Sequence, residues 1–296
     1  MQTLEALNHH IRSVHDLQSV VKTMKGLAAV NIRQYEQAVD ALGDYSRSLE
    51  LGLQVLLRRA PDALKTPPAD PQARLAAVVL GSDQGMCGQF NSRIVAYAAK
   101  KLRNEGGGSD PPLIFAVGIR TVAELEATGH RVAESMILPG SVAEITRRVQ
   151  ELLWQVNRWR EERGVRRVWL FHQRPRSGAS YEPRFEQVMP LGEDWLRSLR
   201  RRPWPTKVLP TFTMDWPALF RSLVGQYLFA AFYRALAESL AAENAARLAS
   251  MQAAEKNIDE RLDDLTAQYH RQRQNAITAE LLDVTAGFEV LGHRRS

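Results

Sequence analysis

The residues most suited by type and spacing to ligand binding or catalysis lie in the run GSDQGMCGQFN at positions 81–91. It follows the continuous apolar run LAAVVL at 75–80, which predicts a buried strand, and it precedes a helical pattern. A strand, a glycine-rich turn and a helix together suggest a phosphate-binding loop, because helix N-termini attract anions. The run has neither GxGxxG nor GxxxxGK[ST] spacing. The sequence therefore favours a tight turn in which Gly85, Gly88 and Asn91 let strand and helix pack closely.

Cys87, inside this turn, is the single cysteine of the 296 residues. One cysteine excludes an internal disulfide and is typical of a reducing compartment. No His–Asp pair lies near it in the sequence, so we interpret Cys87 as a small buried packing residue rather than a nucleophile. His9, His10 and His15 do not share the one-face spacing of a metal site and are interpreted as solvated. The sequence thus predicts no catalytic residue, no cofactor and no metal.

The turn must be positioned by a domain in which short apolar runs alternate with amphipathic stretches. The predicted strands are 75–80, 113–118, 168–175 and 184–191, and the predicted helices are about 91–102, 121–127 and 141–162. This alternation predicts a small α/β domain with a largely parallel sheet. Proline bounds the fourth strand and places it on an edge, with His172 on the third strand as a rim or packing residue. The basic run RSLRRRPWPTKVLP at 197–210 is read as a connector.

Both ends of the chain carry apolar residues in alternating steps of three and four. The N-terminal series runs over 4–56, and the C-terminal series runs over 237–269 and resumes, after one phase break, over 277–291. Three members of the first series are polar: Gln18, Lys25 and Ser46. A narrow stripe on a long helix must be covered by another long helix. Since a domain separates the two stretches, the simplest pairing is antiparallel.

The predicted fold is therefore an α/β domain, Rossmann-like, inserted into a long antiparallel two-helix coiled coil. We assign 1–58 to the N-terminal helix, 59–73 to a proline-rich linker, 74–205 to the α/β domain and 206–296 to the C-terminal helix. Between positions 17 and 30 the first helix is apolar on more than one side. Such a helix is buried on most sides. Either a third helix of the same chain covers it, or a collar made by other proteins does.

The charge balance favours an acidic partner. Net charge is +6 and the isoelectric point is about 9.6, which fits nucleic acid, anionic lipid or an acidic protein surface equally well. No window reaches the roughly 18 apolar residues of a membrane span, so we expect a chain that is soluble by itself. Arginines are spread over both helices and the domain, with no aromatic stacking module that would indicate nucleic-acid binding.

Three stretches resemble one family, the gamma subunit of F-type ATP synthases. The first helix, IRSVHDLQSVVKTMKGLAAVNIRQ, is similar to its N-terminal signature, and SDQGMCGQFN is similar to its SDRGLCGxxN loop. The last helix resembles its C-terminal signature, most specifically in RQNAITAEL at 273–281. The order and separations agree. Departures are Leu17, Val21, Gly26, Gln84 and Ala279, which point to a divergent bacterial member.

The resemblance implies a rotor shaft without an active site of its own. Its partners would be the catalytic alpha/beta hexamer around the coiled coil, and the epsilon subunit and membrane c-ring below the α/β domain. Partner contacts would come from Met24, Lys25, Arg273, Gln274, Thr278 and Glu280. The implied location is the cytoplasmic face of the bacterial inner membrane, held there only through the complex and without nucleic acid. A basic coiled-coil nucleic-acid-binding or scaffold protein, and an enzyme that uses nucleotides on the α/β domain, are the alternatives.

Overall fold

The computed structural model describes residues 3–59, 70, 73–106, 110–176 and 180–293, with the backbone alone at 283 and 286–293. Helices and strands alternate through its middle part, and a long helix lies at each end. In chain order the elements are α1 (Leu4–Arg59), β1 (Leu75–Leu80), α2 (Phe90–Glu105), β2 (Leu113–Val117), α3 (Ile119–Ala127), β3 (Val132–Met136), α4 (Val142–Glu162), β4 (Arg167–Pro175), β5 (Tyr181–Met189), α5 (Glu193–Arg201) and α6 (Trp216–His293). The linker predicted at 59–73 falls mostly outside the described residues, and the domain boundaries stay a prediction.

The strands form one sheet in the order β3-β2-β1-β4-β5. The first four run parallel, and β5 pairs antiparallel with β4 at an edge. The prediction of a largely parallel sheet with an edge strand last is confirmed. Central β1 is buried at every residue, since its alternate side chains enter two cores. Ala76, Val78 and Leu80 join α4 and α6, whereas Leu75 and Val79 join α2 and α3.

Sequence reasoning missed two elements, β3 and α5. The strand β3 has the composition VAESM and alternates half-buried with exposed residues, because it lies at the other edge of the sheet. It therefore lacks the continuous apolar run that marks an inner strand. The helix α5 begins before the stretch 197–210, which was interpreted as a basic connector, and ends inside it. Its acidic first turn and arginine-rich last turn suit the helix dipole, and Leu196 and Leu199 bury its inner face.

The chain divides into two compact units, Met1–Leu27 with Ala249–Ser296, and Ala28–Leu248. In the first unit, Gln18 Nε2 donates a hydrogen bond of 2.6 Å to Asp259 Oδ1. Lys25 Nζ lies 2.5 Å from Glu255 Oε2. Advancing along α1 thus means going back along α6, so the segments pair antiparallel.

The same direction holds inside the second unit. There Tyr45 donates to Gln226 Oε1 at 2.6 Å, and Asn31 Nδ2 approaches Asn244 Oδ1 at 3.5 Å. The predicted antiparallel pairing is confirmed within each unit. Every member of the predicted N-terminal series over 4–56 is buried or half-buried, so that stripe is confirmed as well.

The apolar stripe of the C-terminal helix was predicted to resume over 277–291 and to be covered by the partner helix. That prediction is wrong for the side chains that the structure describes. Ile277 and Leu281 are 49% and 63% exposed, and Val284 is exposed too. The reason is the length of the partner: α1 begins at Leu4, and the register of the first unit sets that residue opposite the neighbourhood of Arg273. No part of α1 remains to cover the next turns. The later stripe positions, Phe288 and Leu291, have side chains outside the described residues.

None of the described helices combines the length and the apolar character needed to cross a membrane.

Gly118, which joins β2 to α3, provides a test of how closely the strand ends approach each other. Its φ is +107°, and a Cβ there would lie 2.6–2.8 Å from backbone atoms of Ser82. Gly129 also has positive φ, +81°, but open space around it. We expect Gly129→Ala to lower the free energy of unfolding by about 1–2 kcal/mol through backbone strain alone. Gly118→Ala should lower it by roughly 2 kcal/mol more, because a backbone contact cannot yield.

Urea unfolding of the full chain, followed by circular dichroism, compares the two variants. Equal losses of stability would contradict the close approach of Gly118 to Ser82.

Candidate functional site

The 81–91 turn is held by hydrogen bonds that begin at Ser82. The Ser82 N–H donates to Asn91 Oδ1 at 3.0 Å and to Thr121 Oγ1 at 3.1 Å. Asn91 returns a bond from Nδ2 to Ser82 Oγ at 2.7 Å. Asn91 lies in the first turn of α2, and through these bonds the end of β1 is held to α2 and α3. Gly85 lies beside Arg120, and Gly88 has a φ of +58°.

Asp83 makes the turn unsuitable for an anion. Its Oδ1 accepts from the Ile119 N–H at 2.9 Å, and its Oδ2 accepts from the Leu138 N–H at 2.8 Å. Both carboxylate oxygens are thus engaged by backbone groups that follow β2 and β3. A phosphate placed here would meet a fixed negative charge. The interpretation of this run as a structural turn agrees with the geometry.

Cys87 is buried and packs against Phe90, Ala242 and Ala246. Burial raises the pKa of its thiol, and the hydrogen bond with Ser82 opposes that shift only in part. The thiolate is the nucleophilic form of cysteine. A buried thiol with a raised pKa is a poor nucleophile, so the geometry assigns Cys87 to packing between the turn and α6.

A cluster of polar side chains that the sequence reasoning did not single out lies on α6 beside α1. We call Glu243, Asn244, Arg247 and Asn31 the buried ionic layer. Glu243 Oε1 lies 2.5 Å from Arg247 Nη2, and Arg247 Nη1 donates to Asn244 Oδ1 at 3.4 Å. Three of the four are buried, Asn31 being half-buried. The available signal was a Glu–Arg pair four residues apart in an otherwise alanine-rich run, AAENAARLA.

A second buried pair connects the sheet to α6. His172 Nε2 lies 3.0 Å from Glu238 Oε2, and Arg174 Nε lies 3.8 Å from the other oxygen. Burial acts to raise the pKa of Glu238, but the hydrogen bond and charges of His172, Arg174 and Arg234 outweigh it and lower the pKa. His172 is therefore a buried packing residue. Of the two predicted roles, packing is confirmed and a position at the rim of the sheet is wrong. Among the described residues, no group of three or more His, Cys, Asp or Glu could hold a metal ion.

Met24 and Lys25, predicted as partner contacts, lie on the paired face of α1. The side chain of Lys25 is about one-third exposed, and its ammonium forms an ion pair with Glu255. Met24 is half-buried against Val21 and Met251. The polar seam residues Gln18 and Lys25 therefore each have an acidic partner on α6, which specifies the register of the pair. The predicted contact of these residues with another protein stays a prediction.

The other predicted contacts, Arg273, Gln274, Thr278 and Glu280, form an exposed polar band on α6. Within this polar band, Thr278 Oγ1 donates to the Gln274 carbonyl at 2.9 Å. The side chains of Arg273, Gln274 and Glu280 make no hydrogen bond or ion pair with any residue that the structure describes. Their polar groups are available to another molecule.

Large apolar side chains are exposed on the N-terminal helix as the broad pattern at 17–30 suggested. They lie off the paired face and are each more than half exposed: Leu17, Val20, Leu27 and Val30. No helix within the described ranges covers them, so the alternative of a third helix from the same chain is wrong there. Exposed apolar residues in such number indicate contact with another protein.

Comparison with known proteins decides the family. A family model described as ATP synthase matches residues 3–291. This chain belongs to the ATP synthase gamma-chain family. It is 28% identical over 303 residues to the ATP synthase gamma chain of Heliobacterium modesticaldum, with 99% of this chain and all of the relative covered. It is 24% identical to the gamma chain of Nitrosospira multiformis, with 95% and 97% covered.

Solved structures agree on the fold of the family. A chain in the cryo-EM structure of the Euglena gracilis mitochondrial ATP synthase (OSCP/F1/c-ring, rotational state 3) matches with a TM-score of 0.67 and 17% identity, covering 99% of this chain and 96% of that one. A chain in the Tetrahymena thermophila mitochondrial ATP synthase central stalk and c-ring matches with a TM-score of 0.57 and 19% identity, covering 79% and 99%. The predicted fold class and the family resemblance are both confirmed.

The buried ionic layer generates a prediction about pH. Burial raises the pKa of Glu243 from its ordinary 4.5 to about 7, against the opposing charge of Arg247. Because the folded state has the higher pKa, it holds a proton that the unfolded chain releases. The stabilisation is complete below pH 4.5 and is lost as the pH rises through about 7.

We therefore expect the stability of the wild-type chain, relative to Glu243→Gln, to fall by on the order of 1–3 kcal/mol between pH 4.5 and pH 8. Urea unfolding across that range measures the difference. The exposed control Glu126→Gln should follow the wild type at every pH. A constant difference between wild type and Glu243→Gln would show that the carboxylate keeps its ordinary titration.

Proposed function

We propose that this chain is the central rotor shaft of an F-type ATP synthase of a bacterium. The observation that carries the proposal is the family match over residues 3–291, which includes both long helices and the sheet between them. In this role the chain has no active site of its own. It couples ion flow through the membrane sector to ATP synthesis or hydrolysis in a catalytic hexamer by rotating inside that hexamer.

The exposed surfaces support contact with the hexamer. Leu17, Val20 and Leu27 offer apolar area, and the polar band offers directional hydrogen bonds. A contact that forms at one rotor angle stabilises one conformation of a catalytic subunit over another, and a shaft can drive conformational change only by such differences. The epsilon subunit and the c-ring are assigned to the α/β part of the chain. Membrane association is then indirect, at the cytoplasmic face of the inner membrane.

The nucleic-acid-binding or scaffold alternative is not favoured. Many arginines that would have to meet phosphates are already paired inside the chain. Among them are Arg147 and Arg148 with Glu151, Arg158 with Glu134, and Arg202 with Glu50. Positive charge that is satisfied in this way contributes little to counterion release. An enzyme that binds nucleotides at the 81–91 turn is disfavoured by the engaged carboxylate of Asp83.

The polar band provides the experiment. Arg273 is suited to bidentate pairing with a carboxylate of a catalytic subunit. In the complex reconstituted from this chain and its hexamer, we expect Arg273→Ala with Gln274→Ala to leave co-purification of the hexamer intact. ATP turnover should fall a few-fold to about tenfold, which corresponds to a lost contact of about 0.5–1.5 kcal/mol.

The matched control is Arg261→Ala, an exposed arginine on the paired part of the same helix, which should retain full turnover. Unchanged turnover in the double variant would make the polar band a solvated face. Failure of the wild-type chain to co-purify with the hexamer would contradict the proposed function itself.

A further inference from the structure

An apolar groove lies between α4, the segment that runs from the end of β5 into α5, and the first turns of α6, all within the unit Ala28–Leu248. Its volume is about 470 Å³, which falls in the range of small-molecule sites, about 300–1,000 Å³. The floor is made by the buried side chains of Leu196 and Leu228. Half-buried apolar residues form the walls: Leu153, Met189, Leu191, Phe220 and Val224.

Two arginines face this apolar space. Arg160 Nη1 donates to Asn157 Oδ1 at 3.3 Å, but its Nε is buried without a hydrogen-bond partner among the described residues. Arg221 Nε donates to the Pro217 carbonyl at 3.3 Å. Within the described part of the chain, neither guanidinium has a carboxylate at ion-pair distance. Burial lowers the pKa of Arg160, and the charge of Arg166 acts in the same direction.

A partly buried cation beside apolar side chains is unfavourable unless an anion accompanies it. An arginine accepts a carboxylate with two parallel hydrogen bonds. The groove therefore combines an apolar interior with unpaired positive charge at its rim.

We propose that this groove binds a medium-chain fatty acid, with the alkyl chain against Leu196 and Leu228 and the carboxylate at Arg160 and Arg221. The site goes beyond the rotor role and does not depend on it.

A peptide occupant fits less well. The groove is lined by side chains of the three helices α4, α5 and α6, whose backbone groups are bonded within the helices, together with the turn after β5. An extended peptide would bring N–H and C=O groups into the apolar floor without partners, at a cost for each. An alkyl chain carries no such groups, and its single charged end meets the polar groups at the rim.

Gly225 gives the means of blocking the site. It lies in α6, lines the groove and has no atom within 4 Å of a built Cβ. A larger side chain there would project into free space, and replacing glycine inside a helix favours the helix. Gly225→Leu should therefore fold and fill the groove. Gly43 in α1 has equally open surroundings but lies elsewhere, so Gly43→Leu is the matched control.

The test is equilibrium dialysis of the full chain against radiolabelled dodecanoate, below the concentration at which it forms micelles. We expect saturable binding of one dodecanoate per chain. Gly225→Leu should weaken it at least tenfold and Gly43→Leu should leave it unchanged. The wild type should bind dodecanoate at least tenfold more tightly than dodecanol. Arg160→Gln with Arg221→Gln should bring that ratio close to one, with the fold checked by circular dichroism.

Three results would overturn the proposal. One is non-saturable or absent binding, and another is binding that Gly225→Leu does not affect. The third is a chain that binds no dodecanoate but loses a co-purifying protein in Gly225→Leu, which would mean that a side chain of that protein occupies the groove.

Discussion

The apolar stripe of α6 is the constraint on which the rest of the molecule depends. The helix α6 has 78 residues. In proteins most of the stability of a helix comes from packing its apolar face against another element, and little comes from the helix alone. The N-terminal helix covers that stripe antiparallel in each unit, and the sheet uses the start of α6 as part of its own core. Leu240 and Ala241, for example, join a core cluster with Val78 and Leu170. One helix thus serves both the coiled coil and the α/β part.

The same constraint explains what the chain leaves exposed. Ile277 and Leu281 are exposed because they lie beyond the part of α6 that α1 covers. Leu17 and Leu27 are exposed because the apolar pattern of α1 is wider than the stripe that contacts α6. These exposed side chains add no stability to the isolated chain, because they bury no apolar surface. Their presence is explained if a surrounding protein covers them, which is the role proposed for the catalytic hexamer.

Sequence predicted most of the fold because its main elements depend on strong periodic signals. The buried strand at Leu75–Leu80 was predicted with its observed bounds, and the N-terminal stripe was predicted at every position. Two elements were missed, β3 at one edge of the sheet and α5 in a charged stretch. Their burial is partial and depends on neighbours that are distant in sequence. The exposed Ile277 was predicted as buried for the opposite reason: its pattern is regular, but the partner helix ends first.

The chemistry of the candidate site was less predictable than the fold. Spacing alone disfavoured a phosphate loop at 81–91, and the structure adds a physical reason, since both carboxylate oxygens of Asp83 accept hydrogen bonds from backbone groups. The buried pair of Glu243 and Arg247 was not predicted, because oppositely charged residues four positions apart are typical of a solvent-exposed helix face. In the structure both side chains are buried beside α1. The groove beside Gly225 is formed by α4, the segment from the end of β5 into α5, and α6. Because these segments are distant in sequence, no local motif predicts the groove.

Rotation is the claim that a single measurement tests most directly. The catalytic hexamer of the reconstituted complex is immobilised, and a bead is attached to this chain through Arg131→Cys, an exposed position at the sheet edge. The buried Cys87 thiol does not compete for the label, since burial raises its pKa. The account predicts unidirectional, stepwise rotation of the bead that requires ATP. Sustained ATP hydrolysis by the same complexes with the bead stationary would contradict it.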